Sequence, residues 1–357
     1  MNTRFVGFCV LIAVLLITTT SCNIFTKPDK NRVAKPAFSP EGGSYDYGQA
    51  ISIFSSTPGA SIFYSMDGSS PTIPYVEPII LSNGNHTLKA VATRLEWQDS
   101  RVATAEYHIQ LLSPQVFVQG GTFNNGTSDV TLSSFSIDKY EVTQAAYQAV
   151  MGTSPSLFSG NLNRPVERVS WFDAIEYCNR RSMQEGLTPC YSYGSNGTNP
   201  ATWPAGWNTI SSNHTNVSCN WTANGYRLPT EMEWMFAARG GNQSQGYTYS
   251  GSNTIDDVAW YGLNSGETTH DVGTKAANEL GIVDMSGNVW EWCWDIYGTY
   301  PSSAQTNPHG VSSGSDRVVR GGGWNHNATY CTVSYRVGGS ATYSFDIVGF
   351  RCVRVSP

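Results

Sequence analysis

From Gly240 to Pro357 the chain shows no helical periodicity, and Gly, Asn, Ser and Tyr dominate it. Regular backbone hydrogen bonding covers little of such a stretch, so aromatic packing, disulfides or a metal ion must organise it. The composition supplies the packing. Eleven Trp and 19 Tyr stand against only 13% charged residues, the opposite of a disordered chain. A net charge of -6 provides no basic face for phosphate, which excludes nucleic acid as a partner.

The N-terminus reads as a targeting segment. Arg4 precedes an apolar run, Phe5 to Ile17, that is too short to span a bilayer comfortably. It ends in Thr19-Thr20-Ser21-Cys22, which resembles a bacterial lipobox and implies lipidation of Cys22. Residues 1–22 are then a lipoprotein signal peptide and 23–35 a polar, Lys-rich tether. The protein is expected to be exported and lipid-anchored to the outer membrane or cell surface, without a transmembrane helix. Beyond Cys9 and Cys22, six cysteines remain: Cys178, Cys190, Cys219, Cys293, Cys331 and Cys352. An even number in an exported chain reads as disulfides, with 15 possible pairings.

Residues 36–110 read as a small all-β unit. Ile51-Ser52-Ile53 and Ile62-Phe63-Tyr64 are β-prone runs, Thr57-Pro58-Gly59 and Asp67-Gly68-Ser69 are turns, and His86 to Ala92 alternates with period two. Phe63 to Thr72 followed by Gly84 to Ala92 resembles the chitobiase/β-hexosaminidase C-terminal-type module. That resemblance implies an immunoglobulin-like sandwich acting as a spacer, with sugar binding as the alternative role.

Residues 113–357 form the main unit. The unit opens with Phe117 to Phe123, and Phe135 to Thr143 then reads as a strand leading into a helix over Gln144–Met151 capped by Thr143. A second helix is capped by Ser170, with Asp173 in its first turn and Ala174, Ile175 and Cys178 on one face. Residues 190–222 read as a long polar loop. Thr230 and Glu233 make a capping box for a third helix, Glu231 to Arg239.

Five ordered motifs mark this unit: Pro165 to Trp171, Tyr226 to Trp234, Gly287 to Trp292, Arg320 to Trp324 and Gly349 to Cys352. Together they resemble the formylglycine-generating enzyme (sulfatase-modifying factor) family over the whole unit. The fold implied is α+β, of the C-type-lectin type, preceded by the immunoglobulin-like sandwich. Those enzymes oxidise a protein cysteine with copper and oxygen, using two cysteines and a serine. The resemblance places His326 and Cys331 at the cysteine positions and Gly323 at the serine position. One thiolate and the hydroxyl are therefore missing, copper is not expected, and no catalytic residue is assigned. It also implies a Cys178–Cys352 disulfide. Cys190 with Cys219 would close the long loop, contributing about 3 kcal/mol, and Cys293 would pair with Cys331. A calcium ion is implied at Asp284, Gly287, Val289 and Glu291. Trp290, Trp292 and Trp294 read as core.

Asn325 to Ile347 contains no Lys, Glu, Gln, Met or Trp and is rich in Tyr, Ser, Thr, Gly and Asn, the composition of a paratope. The stretch resembles the variable region of diversity-generating-retroelement proteins, of the kind found in Treponema variable proteins, over about residues 324–351. Those systems mutate adenines, typically in Asn codons. Every candidate variable site is reachable from Asn by changing the first two codon bases: His326, Tyr330, Tyr335, Val337, Gly338, Gly339, Ser340, Thr342, Tyr343, Phe345, Asp346 and Ile347. The function expected is surface display of a diversified, non-catalytic site for a protein or glycan ligand on other cells or a host. The alternatives are a copper-dependent formylglycine-generating oxidase and a carbohydrate-binding surface protein.

Overall fold

The computed structural model describes residues 31–46, 49–81, 84–110 and 114–355. The signal peptide, Cys22 and the tether as far as residue 30 lie outside the described residues. Among the described residues no helix is long and apolar enough to cross a membrane.

Eight strands build the first unit: β1 (Ala37–Ser39), β2 (Gly43–Asp46), β3 (Ala50–Phe54), β4 (Ser61–Ser65), β5 (Ile73–Pro74), β6 (Ile79–Ile80), β7 (Gly84–Thr93) and β8 (Ala103–Gln110). They form two sheets, β1-β3-β6 and β2-β8-β7-β4-β5. In β7 the expected alternation holds, since Leu88, Ala90 and Ala92 are buried and the residues between them are half-exposed. Phe38, Ile51, Ile53, Leu88, Tyr107 and Ile109 share one core, which draws only on this unit.

The second unit contains β9 (Gln115–Val118), β10 (Gly121–Asn124), β11 (Asp129–Leu132), β12 (Phe135–Asp138), β13 (Tyr191–Tyr193), β14 (Val217–Cys219), β15 (Trp290–Ile296), β16 (Gln305–Thr306), β17 (Asp316–Arg320), β18 (Arg336–Ser340), β19 (Val348–Gly349) and β20 (Val353–Val355). Its helices are α1 (Gln144–Met151), α2 (Trp171–Gln184), α3 (Glu231–Ala238) and the single turn α4 (Ile255–Val258). The caps fall where the sequence puts them. Thr143 accepts from the Ala146 amide, and Ser170–Asp173 and Thr230–Glu233 close full capping boxes. The 190–222 segment departs from the expected loop: β13 pairs with β14 at its base, opposing Tyr191 to Cys219. Aromatic packing replaces long regular elements. Trp294 stacks on Tyr191 at 5.4 Å and lies 5.6 Å from Trp171, and the Arg317 guanidinium sits 3.8 Å above the Trp171 ring.

All six described cysteines are free thiols in this structure. Cys178 and Cys352 face each other with their sulfurs 3.7 Å apart, a contact well beyond the bonded length of about 2.05 Å. Cys190 and Cys219 adjoin at one end of the β13–β14 ladder, where the Asn220 amide donates to the Cys190 carbonyl at 2.7 Å. Cys293 and Cys331 are not neighbours. Cys293 packs with Met232, Trp234 and Val318, whereas Cys331 packs with Ala259 and Tyr261.

One sheet positions the candidate site. Its order is β18-β17-β15-β19. The segment after β17 supplies both outer strands: β18 runs antiparallel to β17 from Arg320↔Arg336 to Asp316↔Ser340, and β19 lies parallel to β15 at Trp290↔Val348 and Glu291↔Gly349.

Candidate ligand-binding face

The segment from Trp324 to Arg351 alternates between anchors and open positions. The Trp324 amide donates to the Asn288 carbonyl at 2.8 Å, its indole N–H donates to the Asp346 carbonyl at 2.9 Å, and its ring meets Phe158 edge-on at 5.2 Å. Cys331 and Val333 are buried. Phe350 and Arg351 end the segment, fully buried. Arg351 makes two 2.7 Å bonds to the Glu291 carboxylate and donates to the carbonyls of Asp138, Lys139 and Val283.

Two further arginines hold the segment from beneath. Arg320, fully buried, donates to the carbonyls of Val333 and Ser334 at 2.9 Å each and to that of Tyr335. Arg336, inside the segment, binds both oxygens of Glu231 at 2.7 and 2.6 Å. The Tyr300 hydroxyl donates to the same carboxylate at 2.8 Å. Glu231 in turn donates its amide to Asp295 at 2.9 Å. Burial, reinforced by the Glu231 charge, pushes the Asp295 carboxyl up to about 8. None of these roles was assigned from the sequence. The signal available was the position of Glu231 and Arg320 inside two of the family motifs.

Between these anchors stand the candidate variable residues. Trp290 is buried and forms a floor. Its indole N–H faces His326 Nδ1 at 3.4 Å, and His326, Tyr330 and Tyr335 surround it with ring centroids 5.4, 6.4 and 6.2 Å away. Tyr330 meets Tyr335 at 4.8 Å and His326 at 5.1 Å. A second aromatic pair, Tyr343 and Phe345 at 5.3 Å, is about half exposed. Ser340 and Thr342 share a 3.0 Å hydroxyl contact, and Val337, Asp346 and Ile347 are half-buried. Gly338 and Gly339 do not belong with the open positions. A Cβ on Gly338 would come within 2.9 Å of the Tyr297 ring, and one on Gly339 within 3.1 Å of the Trp292 ring. Side chains at those two places would collide with the sheet's own aromatics.

Residues from elsewhere in the chain border this face. Phe158, next to the exposed Leu157, packs on Trp324; the Arg168 amide donates to the Phe345 carbonyl at 3.0 Å. The Gly262 amide donates to the His326 carbonyl at 2.8 Å, placing the exposed Leu263 beside it. The Ala341 amide donates to Ser211 Oγ, next to the exposed Ile210.

At the positions that the resemblance assigns to copper, His326 is half-buried, and burial lowers its affinity for a proton. Burial pushes the Cys331 thiol up to about 12, although the backbone N–H groups of Gly287 and Gly323 oppose this. At the expected calcium position, Glu291 is committed elsewhere: Arg351 takes both of its oxygens and the Trp234 indole N–H donates to one at 2.8 Å. Asp284 accepts from the Gly273 amide at 2.6 Å, and burial raises its carboxyl to about 6. Among the described residues no three acidic, His or Cys side chains are grouped to hold a metal ion.

Residues 102–356 match the sulfatase-modifying factor enzyme 1-like domain family, and residues 40–104 match the chitobiase/β-hexosaminidase C-terminal domain family. A chaperone protein LppX of Paenibacillus barcinonensis is 43% identical over 62% of this chain and 81% of its own length. The formylglycine-generating enzyme of Mus musculus is 28% identical over 68% of this chain and 75% of its own. Among solved structures, Treponema denticola variable protein 1 superposes with a TM-score of 0.60 and 34% identity, covering 72% of this chain and 96% of that one. CarF superposes with a TM-score of 0.56 and 28% identity over 70% of this chain and all of that one. With its family motifs forming the sheet and ion pairs beneath the face, the chain belongs to the sulfatase-modifying factor enzyme 1-like (formylglycine-generating-enzyme-like) domain family.

Proposed function

We propose that this protein is an exported lipoprotein that displays a diversified, non-catalytic ligand-binding face. The observation that carries the reading is the alternation between anchors and open positions along residues 324–351. Trp324, Cys331, Val333, Arg336, Phe350 and Arg351 fix the backbone, while His326, Tyr330, Tyr335, Tyr343 and Phe345 offer aromatic contact area at low conformational cost. The likeness to Treponema denticola variable protein 1 supports binding over catalysis, and so does the relative named as a chaperone. His326 and Cys331 offer one thiolate where a two-thiolate copper(I) centre needs two. Ligands of protein or glycan chemistry suit a face that combines aromatic rings with Ser, Thr and Asn hydroxyls and amides.

Sequencing around the gene tests diversification. The reading expects a near-identical template repeat with adenines at the open codons, together with a reverse transcriptase gene; absence of both removes diversification. Incubating the protein with copper, oxygen and a cysteine peptide tests catalysis. The peptide mass should stay unchanged, and appearance of the formylglycine mass would overturn the non-catalytic reading.

A further inference from the structure

The β-sandwich has two unlike ends. At one end the described chain begins: the Gln98 amide donates to the Asn31 carbonyl and the Val33 amide to the Gln98 carbonyl, each at 3.0 Å. Arg32 binds the Asp99 carbonyl at 2.9 Å and the Gln98 side chain at 2.8 Å. The β7–β8 hairpin turn, residues 94–102, is therefore locked against the start of the body, nine residues beyond Cys22. The Thr57 turn joins the same end, since its hydroxyl accepts from the Ala34 amide. β8 then carries the chain from Ala103 at this end to Gln110 at the other, and on to the ligand-binding unit.

Among the described residues, the four most exposed large apolar side chains of the sandwich all lie at the tether end. Leu95 is 89% exposed at the tip of the hairpin turn, where Glu96 adopts a left-handed backbone. Val76 is 86% exposed. It follows Tyr75, whose amide donates to the Ile62 carbonyl, so it stands level with the first residue of β4. Phe54, at the end of β3, is 54% exposed, and Val102, at the base of the turn, 46%. The charge at this end differs in sign from that of the whole chain: exposed Arg32, Lys35, Arg94 and Arg101 outnumber Glu77, Glu96 and Asp99 by one. Trp97 is half-buried under the Arg94 guanidinium, 4.7 Å from its ring. Apolar tips, an amphipathic Trp and arginines form the chemistry that seats at an acyl–headgroup boundary.

We infer that the tether end of the sandwich docks on the lipid surface, with Leu95, Val76, Phe54 and Val102 entering the headgroup layer and the arginines meeting anionic lipid. The docking rests on the proposed lipidation of Cys22, which brings this end to the bilayer. The acyl chains anchor the chain to the bilayer, and the apolar and cationic contact would set how the sandwich sits on it. The sandwich then stands upright and holds the ligand-binding unit away from the membrane.

The test is sedimentation of the chain from residue 23 onward, made without acyl groups, with vesicles of phosphatidylcholine and phosphatidylglycerol. The expected result is measurable binding that the double variant Leu95→Asp/Val76→Asp weakens about tenfold. Met66→Asp, at the opposite end, should leave binding unchanged. Arg94→Ser/Arg101→Ser should remove the dependence on phosphatidylglycerol, a readout that leaves the apolar tips intact. No binding, or equal binding by the Leu95/Val76 variant, would overturn the docking. The mass of the N-terminal peptide from cells reports Cys22 acylation separately. Acylation without patch-dependent vesicle binding defeats the docking alone; patch-dependent binding without acylation defeats the lipoprotein reading alone.

Discussion

At the scale of single residues, the face depends on buried charge. Asp295 gains one backbone hydrogen bond, but burial, reinforced by the Glu231 charge, pushes its carboxyl up to about 8 in the folded protein against about 4 in an unfolded chain. The folded state therefore holds a proton that the unfolded state releases. Stability from this group is full below about pH 4 and is lost as the pH rises toward 8. Asp295→Asn can keep the bond from the Glu231 amide and removes the charge. It should flatten the pH dependence of stability between pH 5 and 8 and raise stability at pH 8 by up to a few kcal/mol. Denaturant titrations at the two pH values check this, and an equal or lower midpoint for the variant at pH 8 would count against it. Glu231→Gln acts in the opposite sense. It leaves Arg336 and Arg320 with no facing carboxylate, and removing one partner of a buried ion pair costs about 3–5 kcal/mol. A thermal midpoint unchanged by Glu231→Gln would show that the clamp does not hold the segment.

At the scale of elements, β18 carries both frame and face: Gly338 and Gly339 lie under aromatic rings, while Val337 and Ser340 are half-buried. Gly339→Val would push a branched side chain against Trp292 and should cost about 1–3 kcal/mol. Phe345→Ser, at an exposed turn, should stay within about 0.5 kcal/mol of the parent. Equal effects of the two in parallel denaturant curves would contradict the division into frame and face. Local chemistry made many elements legible. Thr143, Ser170 and Thr230 signal the three longer helices because capping depends on residues three apart, and β7 shows its alternation because only one face is buried. What the sequence hid depends on contacts far along the chain. Arg320 reaches the carbonyls of residues 333–335, Arg351 reaches Glu291, and Gly338 and Gly339 look variable until the Tyr297 and Trp292 rings are seen over them. Cys293 and Cys331 enter two separate clusters, which the position of Cys293 between Trp292 and Trp294 does not reveal.

At the scale of the whole molecule, the two units have separate cores, and on the proposed function the sandwich spaces and orients while the second unit binds. Arg351 supplies the positive charge beside Glu291 that the family resemblance assigned to calcium. Chelation with EDTA should accordingly leave the thermal midpoint where it was, because a ligand bound only by the folded state shifts that midpoint. A fall of several degrees on chelation would reinstate a structural ion. The division between a rigid frame and a replaceable face is tested most directly by a displayed library of the chain randomised at His326, Tyr330, Tyr335, Tyr343 and Phe345, sorted for folding and then for binding to unrelated proteins. The prediction is that most members fold with midpoints near the parent's and that binders of new specificity emerge. A library in which most members fail to fold would contradict a binding face carried on an independent frame.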